Sequence, residues 1–265
     1  MRDWTEDELA RFSRQIVLRE IGGSGQDRLL SARVALVGVG GIGAPAAMFL
    51  AAAGIGTLRL IDHDRVELSN LHRQVLFGQD DVGRGKVEAA IDALQAASPG
   101  LRVEPFPHRV DAGNVGEALA GVDMVLDGTD QFETRVLVAD ECARAGIPLV
   151  SASVQGFDGQ FIALRPYLGS PHPSYRCIYP DDPQPGSLPS CTLSGVLGPV
   201  AATMAGLAAT EIVKLLLELE DPAIPAPLTC YDGLAGMLHR IEIPRSAAAE
   251  ANTGTVSGTP AYASS

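Results

Sequence analysis

The chain alternates between short apolar runs and segments in which apolar residues return every three or four positions. "RVALVG" (33–38) is a continuous apolar run, the pattern of a strand buried on both faces of a parallel sheet. The small-residue stretch 41–53 predicts a helix and 57–62 a second strand. Upstream, Thr5 and Glu8 have the spacing of a capping box and predict a helix over 6–18, turning Phe12, Ile16 and Val17 toward a core with Arg11 and Arg14 among them. Downstream, "GKVEAAIDALQAASPG" predicts a helix ended by Pro99-Gly100 and "LRVEPFP" a strand. Residues 112–120 follow as a short helix, and "VDMVLDGTD" as a strand with a polar end. A helix over 131–145 stops at Gly146, and "IPLVSASVQ" begins another strand. Strands alternating with helices imply a doubly wound, Rossmann-like α/β fold with a mostly parallel sheet.

After Gly156 the pattern changes. "QGFDGQFIALRP" reads as a hairpin, and strands are predicted near 227–231 and 236–243, so the sheet is expected to carry an antiparallel C-terminal extension. Between them, residues 167–192 are rich in Pro, Gly and Ser, and a long irregular segment in a compact domain is more often functional than idle. The apolar stretch 193–217 is long enough to cross a membrane. It is mostly Gly and Ala, however, and carries Pro199, Glu211 and Lys214, which favours a buried helix. With no repeats and no clear linker, residues 1–245 are expected to form one domain and 246–265 a disordered tail.

Charge and cysteine usage narrow the class. The 265 residues carry a net charge of −12, which argues against nucleic acid or an anionic membrane as partner. The N-terminus has no apolar signal-peptide core, so a cytoplasmic location is expected. Cys142, Cys177, Cys191 and Cys230 form no close pair and are expected to be reduced.

The candidate chemistry begins where the first strand meets its helix. Gly38, Gly40 and Gly43 permit a tight turn, close approach of phosphate to backbone, and close packing of helix on strand. The helix N-terminus then offers N–H groups and partial positive charge to an anion. Asp62, at the end of the second strand, is placed to accept bonds from ribose hydroxyls. This motif alone leaves NAD and ATP both open. Arg73 and Lys86 decide for ATP, because fixed cations suit a triphosphate whose charge moves onto the leaving pyrophosphate. Asp130, at the end of another strand, is a natural Mg²⁺ ligand, since Mg²⁺ takes one or two carboxylates plus phosphates.

The motifs "RFSRQI", "GVGGIG", "DHDRVELSNLHRQ", "GRGKVE", "DGTDQFETR", "GFDGQ" and "YRC", in this order over residues 5–243, resemble the ThiF/MoeB/HesA family, bacterial relatives of ubiquitin-activating enzymes. The resemblance implies that ATP and Mg²⁺ are used to adenylate the C-terminal glycine of a ubiquitin-fold sulfur-carrier protein ending in Gly-Gly. It places Gly41 against the nucleotide, Asp62 at the ribose, and Asn70, Arg73 and Lys86 at the polyphosphate. It makes Asp130 the catalytic, metal-associated aspartate, and Arg14 an arginine reaching into the partner's site of a homodimer. The carrier's tail would lie along the "GFDGQ" hairpin and residues 166–190.

Plainer readings stand beside these. Arg14, Arg73 and Lys86 could be surface charges, and Asp130 could cap the helix beginning at 131. Asp64 and Glu67 read as local turn and salt-bridge residues, and the histidines show no metal-ligand spacing. Many family members carry zinc on two C-x-x-C pairs; here Ser174 and Cys177 stand at the first, and no cysteine follows Cys230, so no zinc is expected. Cys191 lies where some relatives place a cysteine that forms an acyl link with the carrier, and is a weaker candidate. Adenylation of a peptide or small carboxylate, an NAD-dependent oxidoreductase and a non-catalytic scaffold are the alternatives.

Overall fold

In the computed structural model, residues 4–180 and 195–246 are described. Eight strands form one sheet in the order β3-β2-β1-β4-β5-β6-β7-β8. The first half is parallel: β1 (Arg33–Val37) lies between β2 (Thr57–Ile61) and β4 (Met124–Asp127), with β3 (Arg102–Phe106) outside β2 and β5 (Leu149–Gln155) outside β4. Chain order reverses between β1 and β4, which opens a crevice above their C-terminal ends. From β5 onward the sheet is antiparallel, through β6 (Asp158–Leu164), β7 (Leu228–Asp232) and β8 (Met237–Ile241). The predicted fold class and hairpin are both present.

Alternate residues of β1 enter opposite cores. Val34 and Leu36 join the cluster under α3 (Gly43–Ala53) and α4 (Lys86–Ala97), whereas Ala35 and Val37 join the one under α5 (Val115–Leu119) and α6 (Phe132–Ala145). A short α7 (Tyr175–Ile178) follows β6, and α8 (Gly198–Leu216) packs across α3, β5 and β6. Among the described helices α8 alone has the length and hydropathy to cross a membrane. Met204, Ala205, Ala208 and Ile212 are nevertheless fully buried against the sheet, and Lys214 pairs with Glu211 at 2.6 Å. It is a core helix, as its Gly and Ala content suggests.

Two N-terminal details differ from expectation. The capping box forms, with Glu8 N–H donating to Thr5 Oγ1 at 3.2 Å, but α1 spans Glu6–Ile16. Phe12 is buried, whereas Val17, beyond the last turn, is 76% exposed. The next helix, α2 (Gly22–Ser31), has no periodic signal strong enough to predict it. Tertiary contacts form it instead: the Gln26 amide donates to the Ala53 carbonyl at 2.9 Å, and Gly25 brings the helix against Leu217 and Ile21.

Candidate functional site

Five chain segments converge above the crevice. The turn after β1 needs glycine at two points: Gly38 has φ +86°, and a Cβ on Gly43 would overlap the Gly38 carbonyl. The second contact seats the first turn of α3 directly on the strand end, with no side chain capping it. Asp62, just past β2, is 9% exposed and held on both oxygens: Val39 N–H donates to Oδ2 at 2.8 Å and Asp64 N–H to Oδ1 at 2.8 Å. Its carboxylate is thus tied to the glycine turn.

Residues 68–77 form the next wall. The Asn70 carboxamide accepts from Glu67 N–H at 3.3 Å, and the Arg73 guanidinium donates to the Ser69 carbonyl at 2.9 Å while its stem covers Gly41. A Cβ on Gly198 would overlap the His72 carbonyl, so the start of α8 clamps this segment in place. Lys86, the first residue of α4, is 6% exposed; its ammonium lies 2.8 Å from Asp64 Oδ2 and 3.8 Å from Asp62 Oδ2. Burial pushes the Asp64 carboxyl upward, but the hydrogen bond and charge of Lys86 outweigh it and hold the group below its ordinary range.

Asp130 follows β4, with its side chain exposed at the crevice. It does not cap α6: the N-cap is Gln131, and no side chain caps that end. A buried network that the sequence did not mark fixes the Asp130 turn. Asp127, fully buried, accepts from Thr129 N–H at 3.0 Å, Thr129 Oγ1 at 2.7 Å and Ser151 Oγ at 3.2 Å. The buried Arg135 guanidinium donates to the Thr129 and Ala152 carbonyls and stands 3.9 Å from Asp127. Burial opposes that cation and the Asp127 charge restores it, with the net pKa raised.

These groups share a cavity of about 340 Å³ lined by Gly38, Gly40, Gly41, Asp62, Asn70, Arg73, Lys86 and Asp130. Gly43 sits beneath it at the head of α3. Gln74 also lines it, and its side-chain carbonyl is buried without a hydrogen-bond partner. An orphaned acceptor costs about 1–3 kcal/mol, so a ligand with hydroxyl or amine donors fits here. Asp130 and Val154 also line a second cavity of about 420 Å³, walled by Phe132, Tyr175, Tyr179 and Tyr231 and edged by Asp158 and Asp232. The exposed carboxylate of Asp130 is therefore the junction between a polar, charged chamber and an aromatic one.

The remaining candidates fall elsewhere. Arg14 is exposed on α1 and lines neither cavity. Cys191 lies outside the described residues. Cys177 Sγ is 3.5 Å from Ser174 Oγ and 3.4 Å from Ser246 N, so one thiol stands among hydroxyl and amide groups. The Arg245 guanidinium ties the same C-terminal segment to the Pro166 and His172 carbonyls. Cys230 borders the aromatic cavity, and burial pushes its thiol upward. Among the described residues one donor cluster has metal-like spacing, Asp62, His63 and Asp64, within 4.8 Å. The Lys86 ammonium already pairs with the Asp64 carboxylate at 2.8 Å and stands 3.8 Å from Asp62.

The family model for ThiF matches residues 12–252. The chain belongs to the ThiF family. Among its relatives, the SAMP-activating enzyme E1 of Haloferax volcanii is 46% identical over 227 residues, covering 86% of this chain and 82% of that protein. The sulfur carrier protein adenylyltransferase of Thermus thermophilus is 42% identical over 245 residues, covering 92% and 90%. A crystal structure of E. coli MccB with ATP superposes with a TM-score of 0.74 at 25% identity, covering 89% of this chain and 72% of that one. This family membership makes the chain a nucleotidyltransferase and sets aside the oxidoreductase and the bare scaffold.

Proposed function

We propose that this protein uses ATP to adenylate the C-terminal carboxylate of a ubiquitin-like sulfur-carrier protein, releasing pyrophosphate. The observation that carries this reading is the shared cavity, where the glycine turn and Asp62 meet Arg73, Lys86 and Asp130. The sulfur-carrier and SAMP-activating relatives supply the substrate class.

The reaction joins two anions, a carboxylate and the α-phosphate, so the protein must offset repulsion and fix the line of attack. The carboxylate is ionised at neutral pH and needs no general base. Asp62, immobilised by two backbone N–H groups, is suited to ribose hydroxyls. Arg73 and Lys86 would take the polyphosphate, with Lys86 exchanging Asp64 for phosphate oxygens. Mg²⁺ held by Asp130 would neutralise charge moving onto the leaving pyrophosphate. The second cavity opens on the same aspartate and suits the carrier's tail, a narrow Gly-Gly segment entering beside the β5–β6 hairpin.

Three further elements belong to the proposal. The enzyme works as a homodimer in the cytoplasm, with Arg14 completing the partner's site. It holds no structural zinc, a reading supported, among the described residues, by the hydroxyl and amide partners of Cys177 Sγ. Cys191, outside the described residues, is not required for the reaction. Adenylation of a peptide is the second reading, supported by the structural likeness to MccB, one of whose crystal structures contains MccA. Incubation with ATP, Mg²⁺ and candidate carriers, followed by intact mass measurement, tests the choice. A carrier gaining the mass of one adenylyl group (AMP less water) supports the first reading, and adenylation of short peptides with no carrier modified supports the second.

A further inference from the structure

Arg11 and Gln15 fasten α1 to its own protomer, while Arg14 between them stays exposed. The Gln15 amide donates to Gln26 Oε1 at 2.6 Å and to the Ala53 carbonyl at 2.8 Å. Gln26, fully buried on α2, donates to the same carbonyl at 2.9 Å. The junction is tight enough to require glycine beside it: Gly54 has φ +89°, and a Cβ there would overlap Gln26 Nε2 and the Phe12 ring. The Arg11 guanidinium donates to the Ala97 carbonyl and, at 3.2 Å, to Ser98 Oγ.

Ala53 and Ala97 are the last residues of α3 and α4, the helices that begin at the nucleotide cavity with Gly43 and Lys86. Carbonyls at a helix C-terminus lack intrahelical partners, and a cation is favourable there. So α1 is locked onto the far ends of both helices, roughly 16 Å from the cavity along α3. An eleven-residue helix has little stability alone, so these contacts set its direction. Arg14 lies roughly 160° around α1 from Phe12 at 3.6 residues per turn. Phe12 is buried in the protomer, so Arg14 is turned outward, and it has no hydrogen-bond or ion-pair partner among the described residues.

We propose that Gln15, anchored on Gln26, is a positioning residue for adenylation: it fixes α1 so that Arg14 enters the partner subunit's site. This rests on the reading of the enzyme as a homodimer in which Arg14 acts across the interface. A cation delivered from another chain needs a rigid arm, since misplacing a catalytic group by about 1 Å costs on the order of 10²-fold in rate. Gln15 acts through Arg14 and touches neither nucleotide nor carrier.

The test asks in which subunit the loss of Gln15 is felt. Gln15→Met keeps the side-chain length and removes both hydrogen bonds. ATP–pyrophosphate exchange with Mg²⁺ and ubiquitin-fold carriers ending in Gly-Gly is measured for Gln15→Met, Arg14→Ala, the double variant and Arg11→Met. Each is also mixed and refolded with Asp130→Ala. Gln15→Met is expected to lower kcat about 10- to 10²-fold, and the double variant to fall no further than Arg14→Ala. Mixed with Asp130→Ala, Gln15→Met recovers to about a quarter of the wild-type rate, because about half the dimers are mixed and each holds one intact site. A defect confined to the fold of its own subunit gives no recovery, since the subunit that keeps Asp130 then carries the defect. Arg11→Met, at an exposed position, shows the same recovery from a smaller loss, and decides the question if Gln15→Met does not fold. Wild-type exchange in Gln15→Met, or recovery for Arg14→Ala without recovery for Gln15→Met, overturns the inference and leaves the cross-subunit role of Arg14 standing. Recovery for neither overturns that role and the inference with it. Absence of exchange in the wild type with every carrier overturns the adenylation reading itself.

Discussion

Lys86 Nζ lies 2.8 Å from Asp64 Oδ2, so the cation assigned to the triphosphate is held by a carboxylate until a nucleotide displaces it. Such a pair keeps a buried ammonium compensated and aimed into the cavity. Replacing Lys86 by Met is expected to cut pyrophosphate exchange by on the order of 10²–10³, the usual loss for one preorganised charge at a reacting centre.

The same pair gives a pH dependence of stability. Asp64 is held below its unfolded value, so its contribution is present above the ordinary carboxylate range and is lost as pH falls through the folded value. Wild type is expected to lose stability on acidification below about pH 4, and Lys86→Met to lose less over that window. Melting curves at neutral and acid pH measure the difference. Parallel curves for the two proteins would show that the pair contributes nothing.

Arg135 and Asp127 carry the turn that presents Asp130. Arg135→Met leaves Asp127 fully buried with its cation gone, a change that costs about 3–5 kcal/mol. Asp130→Ala, at an exposed position, should stay within about 0.5 kcal/mol of wild type. Urea unfolding of both variants separates support from chemistry. A small loss in Arg135→Met would mean that the network does not brace the turn.

Much of this was readable in advance where one signal sufficed. β1, α3 and Asp62 follow from an apolar run, three glycines and an acid at a strand end, all local in sequence. The helix α2 was missed because Gly22, Gly23 and Gly25 give it low intrinsic propensity and its support comes from Ala53 and Leu217. Val17 was misplaced because helical periodicity cannot mark the turn at which α1 stops. Asp127 and Arg135 stood inside a recognised motif, yet their pairing depends on β5, which supplies Ser151 and the Ala152 carbonyl. Arg109 carried no signal at all, since its bond to Gln131 Oε1 joins residues 22 apart in sequence.

Arg14 lines neither cavity of its own protomer, and the dimer proposal places it in the partner's. Arg14→Ala and Asp130→Ala homodimers are both expected to be inactive. Mixing and refolding them together should restore activity, because mixed dimers contain one site with both residues intact. Absence of rescue, with exchange of subunits shown by native mass, would count against a role across the interface.

The most direct measurement is ATP–pyrophosphate exchange with Mg²⁺, for the protein alone and with a panel of ubiquitin-fold carriers ending in Gly-Gly. Exchange is predicted to require one carrier and to disappear when its terminal glycine is deleted or in the Asp130→Ala protein. Exchange supported by the protein with no carrier, or by none of the carriers despite tight ATP binding, would contradict carrier adenylation.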